Sequence, residues 1–356
     1  MTGNTIVWKP SEDAPAVAYA FLKLIEEAGV PAGVVNLVFG GGKGAAGEFL
    51  VQMMDEGRLD KFAFTGSTRV GREIGAIAGR NLLHPTLELG GKNPLVILRD
   101  ADLDNAVQGA LFSAFATGGQ RCTSAGNVMV DAPIYDAFKD RFLDVVRSVR
   151  IGDPNRHPDV LYGPFINERF YEAWREHFDW GHEDGATKLY GEGRITQDSA
   201  PSGWVGDPDA GFYGWPTVWE DVEPGMRQFQ TEIFGPTINL VKVDGIDDAL
   251  EKANAVDYGL SSAIYTQNRD WAYRFKEGIE AGMTSINNTT NGAEAHMPFG
   301  GVKGSGNGTR ESGIWVLEAY TYWHGVNDDV SGTLQLAQMD TGYMDGTDPV
   351  DVGDLF

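Results

Sequence analysis

Val34-Val35-Asn36-Leu37-Val38-Phe39 runs straight into Gly40-Gly41-Gly42-Lys43-Gly44-Ala45-Ala46-Gly47. An apolar, β-branched run, a glycine turn and then helical apolar spacing from 45 to 56 predict a strand–turn–helix unit. Gly42-Lys43-Gly44-Ala45-Ala46-Gly47 matches G-x-G-x-x-G, the turn that cradles a dinucleotide pyrophosphate when it sits between a strand and a helix. The acidic residue expected about 20 positions further on is Asp60, which ends a helix rather than a strand, so an ordinary strand–helix turn stays open beside the nucleotide reading. A second unit follows at once. Lys61-Phe62-Ala63-Phe64 reads as a strand, and Thr65-Gly66-Ser67-Thr68-Arg69-Val70-Gly71 turns it into a helix that Ser67 would cap. Such a helix end offers unpaired N–H groups and the positive end of a dipole to a phosphate. Two phosphate-friendly turns on one sheet favour a nucleotide-binding domain.

Working outward, the first ninety residues alternate strand and helix. Thr5-Ile6-Val7-Trp8 reads as a short buried strand. Residues 14–28 carry helical apolar spacing through Val17, Phe21, Leu24 and Ile25, and residues 67–79 form a further helix. The pattern predicts a parallel, doubly wound α/β sheet. Leu95-Val96-Ile97-Leu98 continues it as a strand, with helices over 103–115 and 134–149. Residues 191–216, rich in Gly, Pro and Asp with Trp204, Phe212, Tyr213 and Trp215, read as a long loop or β-excursion. Regular α/β structure resumes over 237–286, and a strand-like stretch lies at 333–337. No internal repeat is visible.

A chain of 356 residues can build two domains with full cores. Its net charge of −23 argues against nucleic acid, which wants clustered Lys and Arg, and against docking on anionic membranes. No apolar run reaches the ~18 residues of a membrane span, and no signal peptide is evident at Met1-Thr2-Gly3-Asn4-Thr5. Acidic residues spread along the whole chain, with few lysines, suggest a halophilic proteome, where surface charge keeps proteins soluble in salt. The six histidines show no metal-ligand spacing, so no metal is expected.

The chain has one cysteine, Cys122, so it can form no internal disulfide, which suits a reducing cytoplasm. It sits in Gly119-Gln120-Arg121-Cys122-Thr123-Ser124. Lone cysteines often serve as small buried hydrophobes, yet small polar neighbours let a substrate approach, and Arg121 or a helix N-terminus would lower the thiol pKa. Glu88, in Leu87-Glu88-Leu89-Gly90-Gly91-Lys92, is a candidate buried base with a raised pKa, or else a salt-bridged acid. Glu232, in Gln230-Thr231-Glu232-Ile233-Phe234-Gly235-Pro236, opens a loop before a strand. Pro298-Phe299-Gly300-Gly301-Val302-Lys303-Gly304-Ser305-Gly306 is a glycine-dense loop, and Asn288-Thr289-Thr290 fits a glycosylation sequon of the kind common by chance.

In this order, these blocks resemble the aldehyde dehydrogenase superfamily. The match rests on Gly3-Asn4-Thr5-Ile6-Val7-Trp8-Lys9-Pro10-Ser11-Glu12, Phe64-Thr65-Gly66-Ser67-Thr68-Arg69-Val70-Gly71, Leu87-Glu88-Leu89-Gly90-Gly91-Lys92-Asn93-Pro94, Gly119-Gln120-Arg121-Cys122-Thr123, Glu232-Ile233-Phe234-Gly235-Pro236 and Pro298-Phe299-Gly300-Gly301, and spans roughly residues 1–340. Asn291-Gly292-Ala293-Glu294, Gly308-Thr309-Arg310-Glu311-Ser312-Gly313 and Leu334-Gln335-Leu336-Ala337-Gln338 look most like the α-aminoadipic semialdehyde dehydrogenase branch. The resemblance implies part of a Rossmann-like cofactor domain over 1–90, an α/β catalytic domain over 91–324, and an oligomerisation strand with an acidic tail over 325–356.

It also implies roles. Cys122 would add to an aldehyde as a thiohemiacetal, hydride loss would leave a thioester, and Glu88 would activate the water that hydrolyses it. The Cys122 N–H would supply half of an oxyanion hole. The cofactor would be NAD, with NADP possible. Lys9 and Glu12 would hold its adenosine ribose, and Glu12 would repel a 2′-phosphate. Gly66 and Ser67 would meet the pyrophosphate, Gly42 and Gly44 would line the adenine side, and Leu89, Glu232 and Phe234 would face the nicotinamide end. In the family the pyrophosphate contact lies at the Ser67 turn, so the G-x-G-x-x-G at Gly42 is partly a decoy. The implied partners are an aldehyde or semialdehyde, which Arg121 and His296 would suit if it carried a carboxylate, and further copies in a homodimer or homotetramer. Family members carry a further segment before the position of Met1, including an asparagine that completes the oxyanion hole; losing one such donor costs about 100- to 1000-fold in turnover. Three expectations follow: a dehydrogenase seen as its C-terminal portion, an inactive chain that binds nucleotide or oligomerises, and a coenzyme A-acylating enzyme, against which Glu88 argues.

Overall fold

The structure, a computed structural model, describes residues 2–41, 45–330 and 332. It begins with a parallel pair, β1 (Ile6–Trp8) and β2 (Val35–Leu37), bridged by α1 (Pro15–Glu27). Pro15 opens α1, where its missing N–H costs nothing. Then come α2 (Ala46–Asp55), β3 (Ala63–Thr65), α3 (Thr68–Arg80) and β4 (Thr86–Glu88), with β3 and β4 paired in parallel. The order continues with β5 (Asn93–Ile97), α4 (Leu103–Phe115), β6 (Ala125–Asp131), α5 (Tyr135–Ser148), α6 (Glu168–Asp184), β7 (Thr187–Tyr190), β8 (Arg194–Ile195), β9 (Tyr213–Gly214) and β10 (Thr217–Glu220). It ends with α7 (Arg227–Gln230), β11 (Thr237–Val243), α8 (Gly245–Asn254), β12 (Tyr258–Gly259), β13 (Ser261–Tyr265), α9 (Arg269–Gly278), β14 (Met283–Ile286), β15 (Val302–Lys303) and α10 (Val316–Ala319).

A seven-stranded sheet in the order β14-β13-β5-β6-β11-β10-β7 is the centre of the molecule. Only the β10–β7 pairing is antiparallel. Strand β5 shows how it is buried: Leu95 and Ile97 join one core with Phe115, Phe138 and Phe142, while Val96 and Leu98 join the other with Met129, Trp219 and Phe275. Alternation along a strand covered by helices on both faces produces this split. Aspartate and asparagine caps set the helix starts, with Asp102 accepting from the Asn105 N–H and Asn167 from the Phe170 N–H.

Two expectations need correction. The first ninety residues do not make one doubly wound sheet; they form two separate two-stranded ladders, β1–β2 and β3–β4. Two short strands cannot cover a helix face, so the strand expected to be buried leaves Ile6 49% exposed, and Phe21 and Leu24 of α1 are 55% and 60% exposed. The expected β-excursion over 191–216 is the small hairpin β8–β9. Helix α6 and strands β4, β6, β7 and β10 went unread, although Tyr171, Trp174, Phe178 and Gly181 mark a helical stripe. Gly42, Gly44 and the stretch at 333–337 lie outside the described residues.

The chain divides into one compact unit up to Tyr320 and a second from Thr321 onward. The second has no helix or strand among its described residues, and its Trp323 is exposed.

Candidate active site

Glu88 ends β4, and its backbone pairs with Gly306 of the glycine-dense loop. That loop is tied down by Leu89 N–H donating to the Ser305 carbonyl at 2.9 Å and by Ser305 Oγ donating to the Gly90 carbonyl at 2.7 Å. Its far side closes through Phe299 and Glu311, whose N–H groups donate to each other's carbonyls. Wrapped this way, Glu88 is only 3% exposed, and among the described residues neither carboxylate oxygen has a hydrogen-bond partner. Burial pushes its pKa up to about 8; Glu311 raises it further and Arg310 opposes the rise. The salt-bridged alternative for Glu88 therefore fails, because among the described residues its carboxylate has no hydrogen-bond or ion-pair partner.

The nucleophile candidate lies on a strained turn. After α4 the backbone passes through three left-handed residues, Thr117, Gly118 and Gly119, with φ of 57°, 64° and 65°. A β-branched residue there is a true outlier. Thr117 Oγ1 accepts the Arg121 Nε–H at 3.0 Å, which holds the turn. Gly119 packs so closely on the Gly235 carbonyl that a side chain would overlap it. Asn93 Nδ2 donates to the carbonyls of Cys122 at 2.8 Å and Ser124 at 2.7 Å, tying the turn to β5. Cys122 itself is partly buried. The expected lowering of its pKa by positive charge is not found: burial raises the thiol, and the carboxylates of Glu232 and Glu88 raise it further. Glu88 and Cys122, on separate turns of the sequence, are thus brought within electrostatic reach of each other.

Glu232 reaches the same place from the loop before β11. Its Oε1 accepts the Gly91 N–H at 3.1 Å, and its other oxygen lies so near Gly90 that a Cβ there would overlap it. Helix α6 supports this loop from behind, because Gly235 abuts the Trp174 indole and Trp174 Nε1–H donates to Thr237 Oγ1 at 2.8 Å. Lys92, Gly119, Arg121, Glu232 and Phe234 line one cleft. Phe234 is 38% exposed. Lys92 is buried, and burial lowers its pKa to about 7 against the pull of Glu232.

The other sites expected to meet a dinucleotide are split by the fold. Ser67 caps α3, its Oγ accepting from the Val70 N–H, and the remaining first-turn N–H groups of α3 have no partner within the helix. Gly66 packs on the Phe64 ring, where a Cβ would clash. Lys9 Nζ donates to the carbonyls of Pro10 and Gly40 and stands 3.7 Å from Glu12 Oε2. The Leu89 side chain turns away to pack on Gly71 of α3. Asn93, Lys92 and Thr117 were missed as site residues; the signal for Asn93 was its place in the same short run as Glu88. Among the described residues no group of three or more His, Cys, Asp or Glu is placed to hold a metal.

The fold and site define an α/β protein in which a thiol lies within electrostatic reach of a buried, unpaired carboxylate. The chain belongs to the aldehyde dehydrogenase family, whose model matches residues 1–326. An aldehyde dehydrogenase of Emericella nidulans is 39% identical over 320 residues, which is 90% of this chain and 61% of that protein. The alpha-ketoglutaric semialdehyde dehydrogenase of Bacillus subtilis is 36% identical over 319 residues, 90% of this chain and 63% of that protein. Lactaldehyde dehydrogenase from Escherichia coli superposes with a TM-score of 0.81 at 35% identity, covering 89% of this chain and 63% of that one. Betaine aldehyde dehydrogenase from Staphylococcus aureus, solved in complex with NAD+, gives a TM-score of 0.81 at 31% identity, with 89% and 60% covered. The chain thus spans about three fifths of the length of the curated relatives it matches.

Proposed function

We propose that this chain carries the chemical centre of an enzyme that oxidises an aldehyde to a carboxylic acid with NAD. The observation that carries the reading is the buried, unpartnered Glu88 carboxylate in electrostatic contact with the Cys122 thiol. The Cys122 sulfur attacks the aldehyde carbon, and its backbone N–H meets the developing oxyanion. NAD, when bound, supplies the acceptor for the hydride whose loss turns the thiohemiacetal into a thioester. Glu88 then takes a proton from a water, the water oxygen bonds to the acyl carbon, and the C–S bond breaks to release acid and restore the thiol. Burial keeps Glu88 from wasting its basicity on solvent, and its raised pKa matches a base that works near neutral pH.

Lys9 and Glu12 hold the adenosine ribose, with Glu12 disfavouring NADP; Gly66 and Ser67 take the pyrophosphate at the α3 N-terminus; Leu89, Glu232 and Phe234 face the nicotinamide end. A residue so well placed for hydrolysis argues for acid release rather than transfer to coenzyme A. The division at residues 90 and 324, assembly as a homodimer or homotetramer, and a cytoplasmic setting complete the proposal. The test is NADH formation from a panel of aliphatic, aromatic and carboxylate-bearing aldehydes. Turnover that vanishes in Cys122→Ala supports it; turnover unchanged in that variant sinks it.

A further inference from the structure

A cation lies near Glu88, and nothing in the reaction outlined above uses it. A Cβ placed on Gly300 would lie 2.9 Å from Glu88 Oε1 and 3.1 Å from Arg310 Nη1, so the two atoms are no more than about 6 Å apart across one glycine. Gly300 has a φ of 153°, and a side chain there would fill the gap. Arg310 is aimed by its own backbone surroundings: Nη1 donates to the carbonyls of Thr309 at 3.0 Å and Gly301 at 3.2 Å. Among the described residues it makes no ion pair within 4 Å, in a protein with 51 acidic residues. A guanidinium held by carbonyls, left without an acid partner and within about 6 Å of an unpaired buried carboxylate is placed to act on that carboxylate.

We propose that Arg310 is a positioning residue for the deacylating base, its guanidinium across Gly300 drawing the buried Glu88 carboxyl toward its ionised form while the Cys122 thioester is hydrolysed. This rests on the proposed roles of Glu88 and Cys122. The charged and titratable groups that face Glu88 are Glu311 and Arg310 from the closing loop and Cys122 from the nucleophile turn; Lys61, ahead of β3, acts on Glu311. Burial and Glu311 both favour the protonated acid, which cannot accept a proton from water. Arg310 acts in the opposite sense. The separation is small enough to matter, since an opposite charge within about 4–6 Å moves a carboxyl pKa by about one unit or more. The closing loop thereby does two jobs: it buries Glu88, and it carries a charge that opposes the effect of that burial.

The test uses p-nitrophenyl acetate, whose acyl group passes to Cys122 with release of p-nitrophenolate and without any cofactor. The fast burst reads acylation, and the slow phase reads thioester hydrolysis by Glu88. Arg310→Gln is expected to move the midpoint of the slow phase up by about one pH unit and to slow it several-fold at pH 7. Arg310→Lys should restore most of the shift, and Glu311→Gln should move the midpoint down. A normal burst with an unmoved midpoint in Arg310→Gln overturns the role of Arg310 while leaving that of Cys122 intact. No burst from the unaltered chain overturns the reading of Cys122 and this one with it. Should Arg310→Gln fail to fold, Glu311→Gln decides alone: an unmoved midpoint there overturns the electrostatic account.

Discussion

Glu88 shows what one buried side chain contributes. Removing its carboxylate while keeping its shape, as Glu88→Gln, is expected to leave the acylation burst in place and to slow acid release by at least about 100-fold, the usual worth of a general base. Steady-state acid release unchanged in that variant would remove Glu88 from the chemistry. The same residue ties stability to pH. Its carboxyl titrates near 4.5 in the unfolded chain and is pushed up to about 8 in the fold, so between those values the folded state holds more protons. Its contribution is therefore fully present below 4.5 and is lost as pH rises through about 8. Urea denaturation of Glu88→Gln should show a flatter dependence over that window than the unaltered chain; equal slopes would mean that the carboxyl is not perturbed.

At the scale of elements, the site is a meeting of turns, each held by a neighbour. The nucleophile turn leans on the Glu232 loop through Gly119 and Gly235, and that loop leans on α6 through Gly235 and Trp174. Gly119→Ala would put a side chain on a left-handed backbone and into the Gly235 carbonyl. The strain alone is worth about 1–3 kcal/mol, and we expect lower stability together with acylation slowed more than about tenfold. Wild-type burst kinetics in Gly119→Ala would show that the turn does not position Cys122. Ser67→Ala removes the α3 cap, with a loss of about 1 kcal/mol in helix stability. Calorimetry should also show weaker NAD binding, since the cap orders the helix end proposed to take the pyrophosphate. Much of this was legible beforehand: α3 with its Ser67 cap, and α4 over the expected residues. Helix α6 was not, because its aromatic stripe is interrupted by charged residues and lies beside a region dominated by loop signals.

For the whole molecule the governing quantity is a net charge of −23. Self-repulsion of that size opposes compactness, and salt screens it over about 8–10 Å at physiological strength and over shorter distances in molar salt. Thermal midpoints are expected to rise steeply between low salt and molar KCl; a flat response would count against a halophilic origin. The exposed apolar residues of β1 and α1 are a second property of this scale. The strand at β1 was expected to be buried and α1 to carry helical apolar spacing, yet two-stranded ladders leave these apolar residues largely uncovered.

The sequence by itself determined the candidate reactive groups, the strand–turn–helix order around residues 61–80, the Ser67 cap and the resemblance that placed Cys122 and Glu88 in one family. Those follow from residue type and short spacing. The tertiary structure alone decided the electrical character of the site. It showed that Glu88 is unpaired rather than salt-bridged, that Cys122 is pushed up rather than down, and that Asn93 ties the nucleophile turn to the sheet. It also showed Arg310 sharing a glycine gap with Glu88. The physical reason is that a pKa depends on what surrounds a group in space. For Glu88 that surrounding is a loop from the far end of the chain, whose approach no local pattern records.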